Sequence, residues 1–269
     1  MPTELLLILS GLVAGTFGAM LGLGGGLLIV PILTLGFGAP ITTAVGTSLV
    51  CVIATSTGAA ALNVRAGRAD VRLGITLGAA TVVGAASGGI LAGILPERTL
   101  AGLFAALLAY TSYTMLRGLR GASVERHPGS EPDPTAPDGP GAPLYRTHRL
   151  PLAWAGSLVA GHASGLLGVG GGIVSVPLIR MLMGAPMRVA VATSNFMIGI
   201  TAAAGAAAYL FRGEIDPRQA APVVIGVTMG AALGAGIAAR IRPAWLSGIF
   251  VVVVAYVAVR MVLRAAGLE

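Results

Sequence analysis

The chain contains no lysine: all 17 of its basic residues are arginine. That absence removes the Walker A lysine, and with it ATP hydrolysis by a P-loop, and it removes Schiff-base chemistry. A single cysteine, Cys51, excludes an internal disulfide and a cysteine-based metal cluster. Charged residues are only 10% of 269, against roughly a quarter in a soluble domain, so most of this surface cannot face water. Aromatic residues are 5%, and the arginines flank apolar runs instead of forming a patch among stacking rings. The formal charge of +7 therefore reads as topology signals beside a membrane and not as a nucleic-acid footprint. The three histidines, His127, His148 and His162, are not clustered, and no Asp or Glu falls inside an apolar span. That speaks against a metal site, a cation carrier and a carboxylate proton relay. No HExxH, nucleophile elbow or paired carboxylates occur, and the glycine runs lack the preceding strand and following acid of a dinucleotide fingerprint. Nothing supports an enzyme, and no cofactor is expected.

What is abundant is hydrocarbon and glycine. Hydrophobic residues make up 55% of the chain and glycine supplies 41 residues; the mean hydropathy is +0.89. Long apolar runs that end at short Arg-bearing segments predict an all-α polytopic membrane protein, with lipid as its solvent. The first residues, MPTELLLILSGLVAG, carry an acid and no basic n-region, so a removable signal peptide is not expected and the chain should insert whole. The expected location is the inner (plasma) membrane, crossed several times.

Residues 121–149 differ from everything else. Proline, glycine and acids crowd GASVERHPGSEPDPTAPDGPGAPLYRTHR, which reads as a flexible cytoplasmic linker between a first unit, 1–120, and a second, 150–269. The two units align without a gap when one is shifted by 146 positions. Leu21-Gly22 and Gly24-Gly25-Gly26 fall on Leu167-Gly168 and Gly170-Gly171-Gly172; Val30-Pro31 falls on Val176-Pro177. The same shift pairs Pro40 with Pro186, Thr47-Ser48 with Thr193-Ser194, Asp70 with Asp216 and Arg72 with Arg218. Such internal duplication is a frequent device of transporters, because related halves can rock against a shared site.

Each half is expected to hold one glycine-broken segment (4–37 and 150–183) and three ordinary helices, near 40–63, 71–95 and 97–117, then 186–211, 217–240 and 243–264. The ordinary helices have the roughly 20 residues that a crossing requires. The broken segments do not fit that length. Roughly 33 residues as one helix would reach about 50 Å, far beyond a hydrocarbon core of about 30 Å, yet two crossings and a turn need more residues. A re-entrant hairpin that turns at the glycines fits, provided its broken backbone is buried in protein or lines a wet cavity. A hairpin plus three crossings is an odd count, which inverts the second half relative to the first. Arginine counting does not decide, since inverted and parallel halves each place twelve arginines on one side and five on the other. The lack of arginine before the first apolar run favours an outside N-terminus and inverted halves.

The glycine runs are the candidate chemistry. Gly22, Gly24, Gly25 and Gly26, like Gly168, Gly170, Gly171 and Gly172, permit positive φ and bare N–H groups close to a ligand. A half-helix that starts just past the turn aims its amides and dipole at the same spot, which makes an anion site without a cationic side chain. Thr47-Ser48 and Thr193-Ser194-Asn195 lie about two turns into a proline-started helix and can add hydroxyl and amide donors, or simply bond their own helix carbonyls. Glycine also serves packing: Gly18–Gly22–Gly26, Gly84–Gly88 and Gly226–Gly230–Gly234 have small-xxx-small spacing, and for the latter two sets packing is the expected role. His162 lies in an apolar run six residues before Gly168, while its counterpart is Thr16. It is either a proton-sensing or proton-carrying group or a neutral hydrogen-bonded histidine. Arg180 and Arg188, at segment ends, are read as topology and snorkelling residues.

The doubled pattern AGxxxxxLGxGGGxxxVP followed by GAPxxxAxxTS resembles the sulfite exporter TauE/SafE family of membrane transporters, over both halves and everything but the linker. The resemblance implies movement of sulfite, organosulfonates or related small sulfur-containing anions. It maps the family signature onto Gly22–Gly26 and Gly168–Gly172 with Pro31 and Pro177. Asn195 faces Leu49 in the other half, so the polar lining is expected to be lopsided. A small anionic substrate and the lipid bilayer are the partners this reading names.

The other function the sequence admits is a non-transporting membrane scaffold that recruits partners through the linker. Deleting residues 123–145 separates the two. A transporter keeps most of its flux in proteoliposomes after the deletion, whereas a scaffold loses its role and shows no flux before or after.

Overall fold

The computed structural model describes residues 2–21, 25–121, 150–238 and 243–266, and among these it is all helix, with no strand. The order is α1 (Pro2–Leu21), α2 (Gly26–Pro31) running into a π-helical turn (Ile32–Gly36), α3 (Ile41–Arg65), α4 (Val71–Ala92) and α5 (Glu97–Gly121). The second half gives α6 (Leu150–Leu167), α7 (Gly172–Met183), α8 (Met187–Phe211), α9 (Pro217–Ala238) and α10 (Pro243–Ala265). The linker call, with Gly22 and Gly24, lies outside the described residues. Five helices are long and apolar enough to cross a membrane: those at Thr3–Met20, Ile41–Arg65, Val71–Ala92, Leu150–Leu167 and Val189–Phe211. Their outer faces carry exposed large apolar side chains, such as Leu5, Leu9, Ile75, Val83, Val159 and Leu210, and such continuous apolar flanks are stable only against hydrocarbon.

Each broken segment is a hairpin of unequal arms. Gly25, at φ 78°, sits beside Ala14 and Gly15 of α1, and Gly171, at φ 77°, sits beside Ala160 and Ser164 of α6. Leu178, further along α7, packs on Gly156, earlier in α6. The short arm therefore runs back along the long one. The first arm has 20 residues, about 30 Å at 1.5 Å per residue, so it is long enough to reach across a bilayer by itself, and only the returning arm is a half-helix. Proline explains why the return of α2 is irregular: Pro31 has no N–H for the helix ladder, and the chain widens immediately into the π turn. Arg264 of α10 donates to the freed carbonyl of Thr34 at 2.7 Å. In α7, Gly184 at φ 67° ends the arm and donates its N–H to the Arg180 carbonyl, the usual left-handed stop.

The duplicated acids turn out to be helix starts. Asp70 accepts from the Leu73 N–H at 2.9 Å ahead of α4, and Asp216 accepts from the Arg218 N–H at 2.9 Å ahead of α9; each satisfies a donor that a helix start leaves free.

The halves are interlaced. α1 packs on α9, and α6 packs on α4, at backbone-to-backbone distance. Gly15 lies against Val227, and the offset-equivalent pair Gly161–Thr81 makes the same contact. Gly230 abuts Leu12 and Thr16, as Gly84 abuts Leu158 and His162; Gly234 abuts Thr16, as Gly88 abuts His162. The small-xxx-small glycines of α4 and α9 thus serve the packing that their spacing predicts. At the centre α3 and α8 cross in opposite directions, with Gly46 against Tyr209, Leu49 against Gly205 and Ser56 against Gly199. α5 and α10 flank this centre as a further pair, Gly102 lying against Ala265.

A side chain on Gly161 would collide with the Thr81 backbone. Gly161→Leu is expected to cost about 1–3 kcal/mol or more, as overpacking of a tight seam does, read as a lower unfolding midpoint in detergent. Gly248→Ala, where nothing lies within 4 Å, should leave the midpoint unchanged or slightly raised.

Candidate functional site

The two glycine turns meet. A side chain on Gly26 would reach within 2.7 Å of the Gly168 carbonyl oxygen and within 3.0 Å of Ser48 Oγ. Ser48 ties this junction: its hydroxyl lies 2.7 Å from the Gly168 carbonyl oxygen and 3.1 Å from that of Gly26. In this conformation its proton points at backbone carbonyls and not at a ligand. Gly168 and Gly170 take φ values of 72° and 81°, which only glycine adopts at little cost. The turn they make lies against Val45 and Val52 of α3 and Ile198 of α8.

The other sequence-predicted residues sit around this junction in different ways. Thr47 and Ser194 are fully buried, and neither hydroxyl has a hydrogen-bond partner among the described residues. Thr193 accepts the Asp70 N–H at 2.9 Å, which fastens the start of α4 to α8. Pro31 is buried, whereas Pro177 is exposed. Gly172 and Gly26 are the first residues of α7 and α2, so their amides belong to helix N-termini. His162 Nδ1 is 3.0 Å from Ser87 Oγ on the α4–α6 seam and does not line the cavity described next. Among the described residues no three His, Cys, Asp or Glu side chains cluster.

A cavity of about 400 Å³ opens between α1, α3, α8 and α9. Asn195 reaches it, with Thr55, Ser56 and Thr228 as the other polar lining; alanines and glycines supply most of the rest. It extends towards the Arg65 end of α3, where Leu62 is 71% exposed. Ile198 forms part of its wall, and the same side chain covers Gly170 and Gly172. Ile198 therefore touches both the cavity and the second glycine turn, which Val52 covers as well. Thr55, Ser56 and Thr228 each bond a carbonyl of their own helix, so the side-chain N–H donors at the cavity wall come from the Asn195 amide. Among the described residues, no cationic side chain lines it.

The profile of the family described as Sulfite exporter TauE/SafE matches residues 7–261. The chain belongs to this family. It is 28% identical to Probable membrane transporter protein YunE of Bacillus subtilis, over 86% of this chain and 87% of that one. It is 30% identical to a probable membrane transporter protein of Methanocaldococcus jannaschii, over 76% of this chain and 72% of that one. Probable membrane transporter protein YdhB of Bacillus subtilis is 27% identical over 86% and 87%. No solved structure matches the chain. With its membrane-capable helices, this TauE/SafE protein is a multi-pass membrane transporter; it belongs to a family of carriers of small molecules and not of enzymes.

Of the residues singled out in the sequence, Asn195 reaches the cavity; Thr55, Ser56 and Thr228, which also line it, were not singled out. A signal existed: Thr55, Gly58 and Ala59, and Thr228, Ala231 and Ala232, are small or polar stripes at helical spacing. In a chain this rich in alanine and glycine such stripes do not stand out.

Ser48→Ala strips two buried carbonyls of their donor and is expected to cost about 1–3 kcal/mol. Ser194→Ala removes a buried hydroxyl without a partner and should be neutral or stabilising. Thermal unfolding of the two variants side by side checks this difference.

Proposed function

We propose that this TauE/SafE protein exports a small sulfur-containing anion, such as sulfite or an organosulfonate, from the cytoplasm across the inner membrane by alternating access between two inverted repeats. The observation that carries the reading is the placement of the cavity: neutral in its described lining, amide-bearing, and sharing Ile198 as a wall with a buried glycine turn that begins a helix. An anion that displaced Ile198 would meet the free amides at the start of α7 and the positive end of its dipole, with Asn195 as a further donor. In the first half Gly25 and Gly26 hold the equivalent positions, with Gly22 and Gly24 preceding them in the sequence, and Pro31 and Pro177 are each the sixth residue of a short arm. Thr47, Ser48, Thr193 and Ser194 hold or line the junction between the turns.

Inverted repeats are supported by the opposite directions of α3 and α8, which are offset-equivalent, and by the exchange of α1·α9 for α6·α4 contacts. The repeats then comprise residues 1–120 and 150–269, joined by the 121–149 linker. On this topology Arg65, Arg68 and Arg72 face the cytoplasm, so the cavity opens inward, as an exporter waiting for cargo requires. The membrane potential, negative inside, drives an anion out with about 2.3 kcal/mol per charge per 100 mV. No coupling ion is needed, and the scarcity of acids within the five spans, where Glu4 at the edge of the first is the one present, agrees with that. Neutral donors suit this economy, because a cationic site would hold the anion too firmly to release it.

The test is efflux from proteoliposomes loaded with sulfite or, in parallel, an organosulfonate. Flux is expected to rise when an inside-negative potential is imposed. Asn195→Ala should lower it at least tenfold with an unchanged unfolding midpoint, and Gly171→Leu, which forces a side chain into a left-handed backbone, should abolish it. Normal flux in both variants would overturn the site; absence of flux for every anion offered would overturn the cargo.

A further inference from the structure

The offset that aligns the two halves also pairs the cavity-lining residues with partners elsewhere, and six of those partners lie in a closed seam. Gly18, Ala19, Thr55, Ala59, Leu62 and Ala231 line the cavity; their equivalents are Ser164, Gly165, Thr201, Gly205, Ala208 and Ala85. Those six close a seam in which α4 and α6 press on α8. Thr81 Oγ1 and Thr201 Oγ1 are 2.6 Å apart. A side chain on Gly205 would reach within 3.3 Å of the Gly165 Cα, and one on Gly89 within 2.9 Å of the Ala208 Cβ. Tyr209 fills what remains, its hydroxyl bonding the carbonyls of Gly165 and Leu166 at 3.0 and 3.2 Å. One sequence pattern thus occupies two arrangements in one molecule, open along α3–α9 and closed along α4–α8.

The closed seam carries a fastening that the open one lacks. At the end of α8, Arg212 donates to the Gly89 carbonyl of α4 at 2.7 Å, pairs with Glu214 at 2.7 Å and stacks over the Tyr209 ring, 4.7 Å from its centroid. Glu214 and Tyr209 fix the guanidinium from two sides, and its other terminal nitrogen, Nη1, donates across to the neighbouring helix. Among the described residues, this is the one ion pair. The equivalents of Tyr209, Arg212 and Glu214 are Asn63, Ala66 and Arg68, which contain no ring, no guanidinium at the bridging position and no carboxylate. The fastening was not duplicated with the halves.

We propose that the α4–α8 seam is the outer gate of the transporter, that Arg212 is its latch, and that the α3–α9 seam is the inner gate, which closes by the same contacts when the latch releases. The proposal rests on the transport reading and adds to it which residues move and which side is favoured at rest. In the outward-open state Thr55 meets Val227, as Thr201 meets Thr81 now, and the cavity reappears between Ser164, Gly165, Thr201 and Ala85. Ser164, whose buried hydroxyl has no partner among the described residues, then faces that cavity. Because the latch sits on one gate only, the two states are unequal in energy although their seams are built alike.

Two cysteine pairs in a Cys51→Ala background test this in proteoliposomes, with mild oxidation and gel mobility as the readout. Thr81→Cys with Thr201→Cys should cross-link in high yield at rest. Thr55→Cys with Val227→Cys should cross-link slowly. Arg212→Gln should raise the rate of the second pair at least threefold and lower that of the first; Glu214→Gln, which leaves the guanidinium but removes its carboxylate, should act in the same direction more weakly. Each disulfide should stop flux until it is reduced. The proposal falls if the second pair never cross-links in a monodisperse protein, if both latch variants leave both rates unchanged, or if flux continues with a gate locked. Should the cross-links exchange as expected while none of the offered anions moves, the gates stand and the cargo assignment fails.

Discussion

Peptide groups that leave a helix inside an apolar solvent must find partners within the protein, since neither lipid nor a dry core supplies any. That constraint organises this molecule. Both halves break a helix at a glycine run, and each break frees carbonyls on one side and amides on the other. The carbonyls are the half that the protein satisfies itself. Ser48 takes those of Gly26 and Gly168, Tyr209 takes those of Gly165 and Leu166, and Arg264 takes that of Thr34. The amides at the starts of α2 and α7 are left to a visitor. An anion is the visitor proposed above, since free amides at a helix start favour negative charge.

The same economy governs the packing. α1 with α9, and α4 with α6, approach so closely that a single methyl group on the facing glycines would strike backbone. Each tight pair joins one helix from each half, so the halves cannot separate as two bodies; they can only shift as two helix pairs about the central α3–α8 cross. Small residues make such seams smooth, and a smooth seam can slide or part without dismantling an interlocked side-chain core. The contrast between the open α3–α9 seam and the shut α4–α8 seam follows directly. The Arg212–Glu214–Tyr209 group lies on the shut seam, and its sequence equivalents Asn63, Ala66 and Arg68 cannot form the same contacts.

The two histidine-free, acid-free centres also explain why this transporter reads so poorly as a chemical machine. His162 bonds Ser87 on the α4–α6 seam, and the duplicated acids Asp70 and Asp216 cap helices. The polar side chains that reach the cavity are neutral. Selectivity must then come from backbone geometry and from the shape of a hollow lined with alanine, glycine and isoleucine, and such selectivity leaves little trace in a residue inventory.

From the sequence alone came the all-helical class, the ordinary helices nearly to their ends and the breaks at the glycines, because each is written in local pattern: apolar length, and proline and glycine punctuation. Asp70 and Asp216 were visible as a repeated pair, though not as caps. The tertiary structure alone decided which repeat packs on which, that Ser48 serves carbonyls, that Ile198 lies over the second turn, and that the seams differ. Those are contacts between residues far apart in the chain, and in a sequence of near-uniform alanine, valine, leucine and glycine no local pattern encodes them; distance in space is settled only when every backbone group has found its partner.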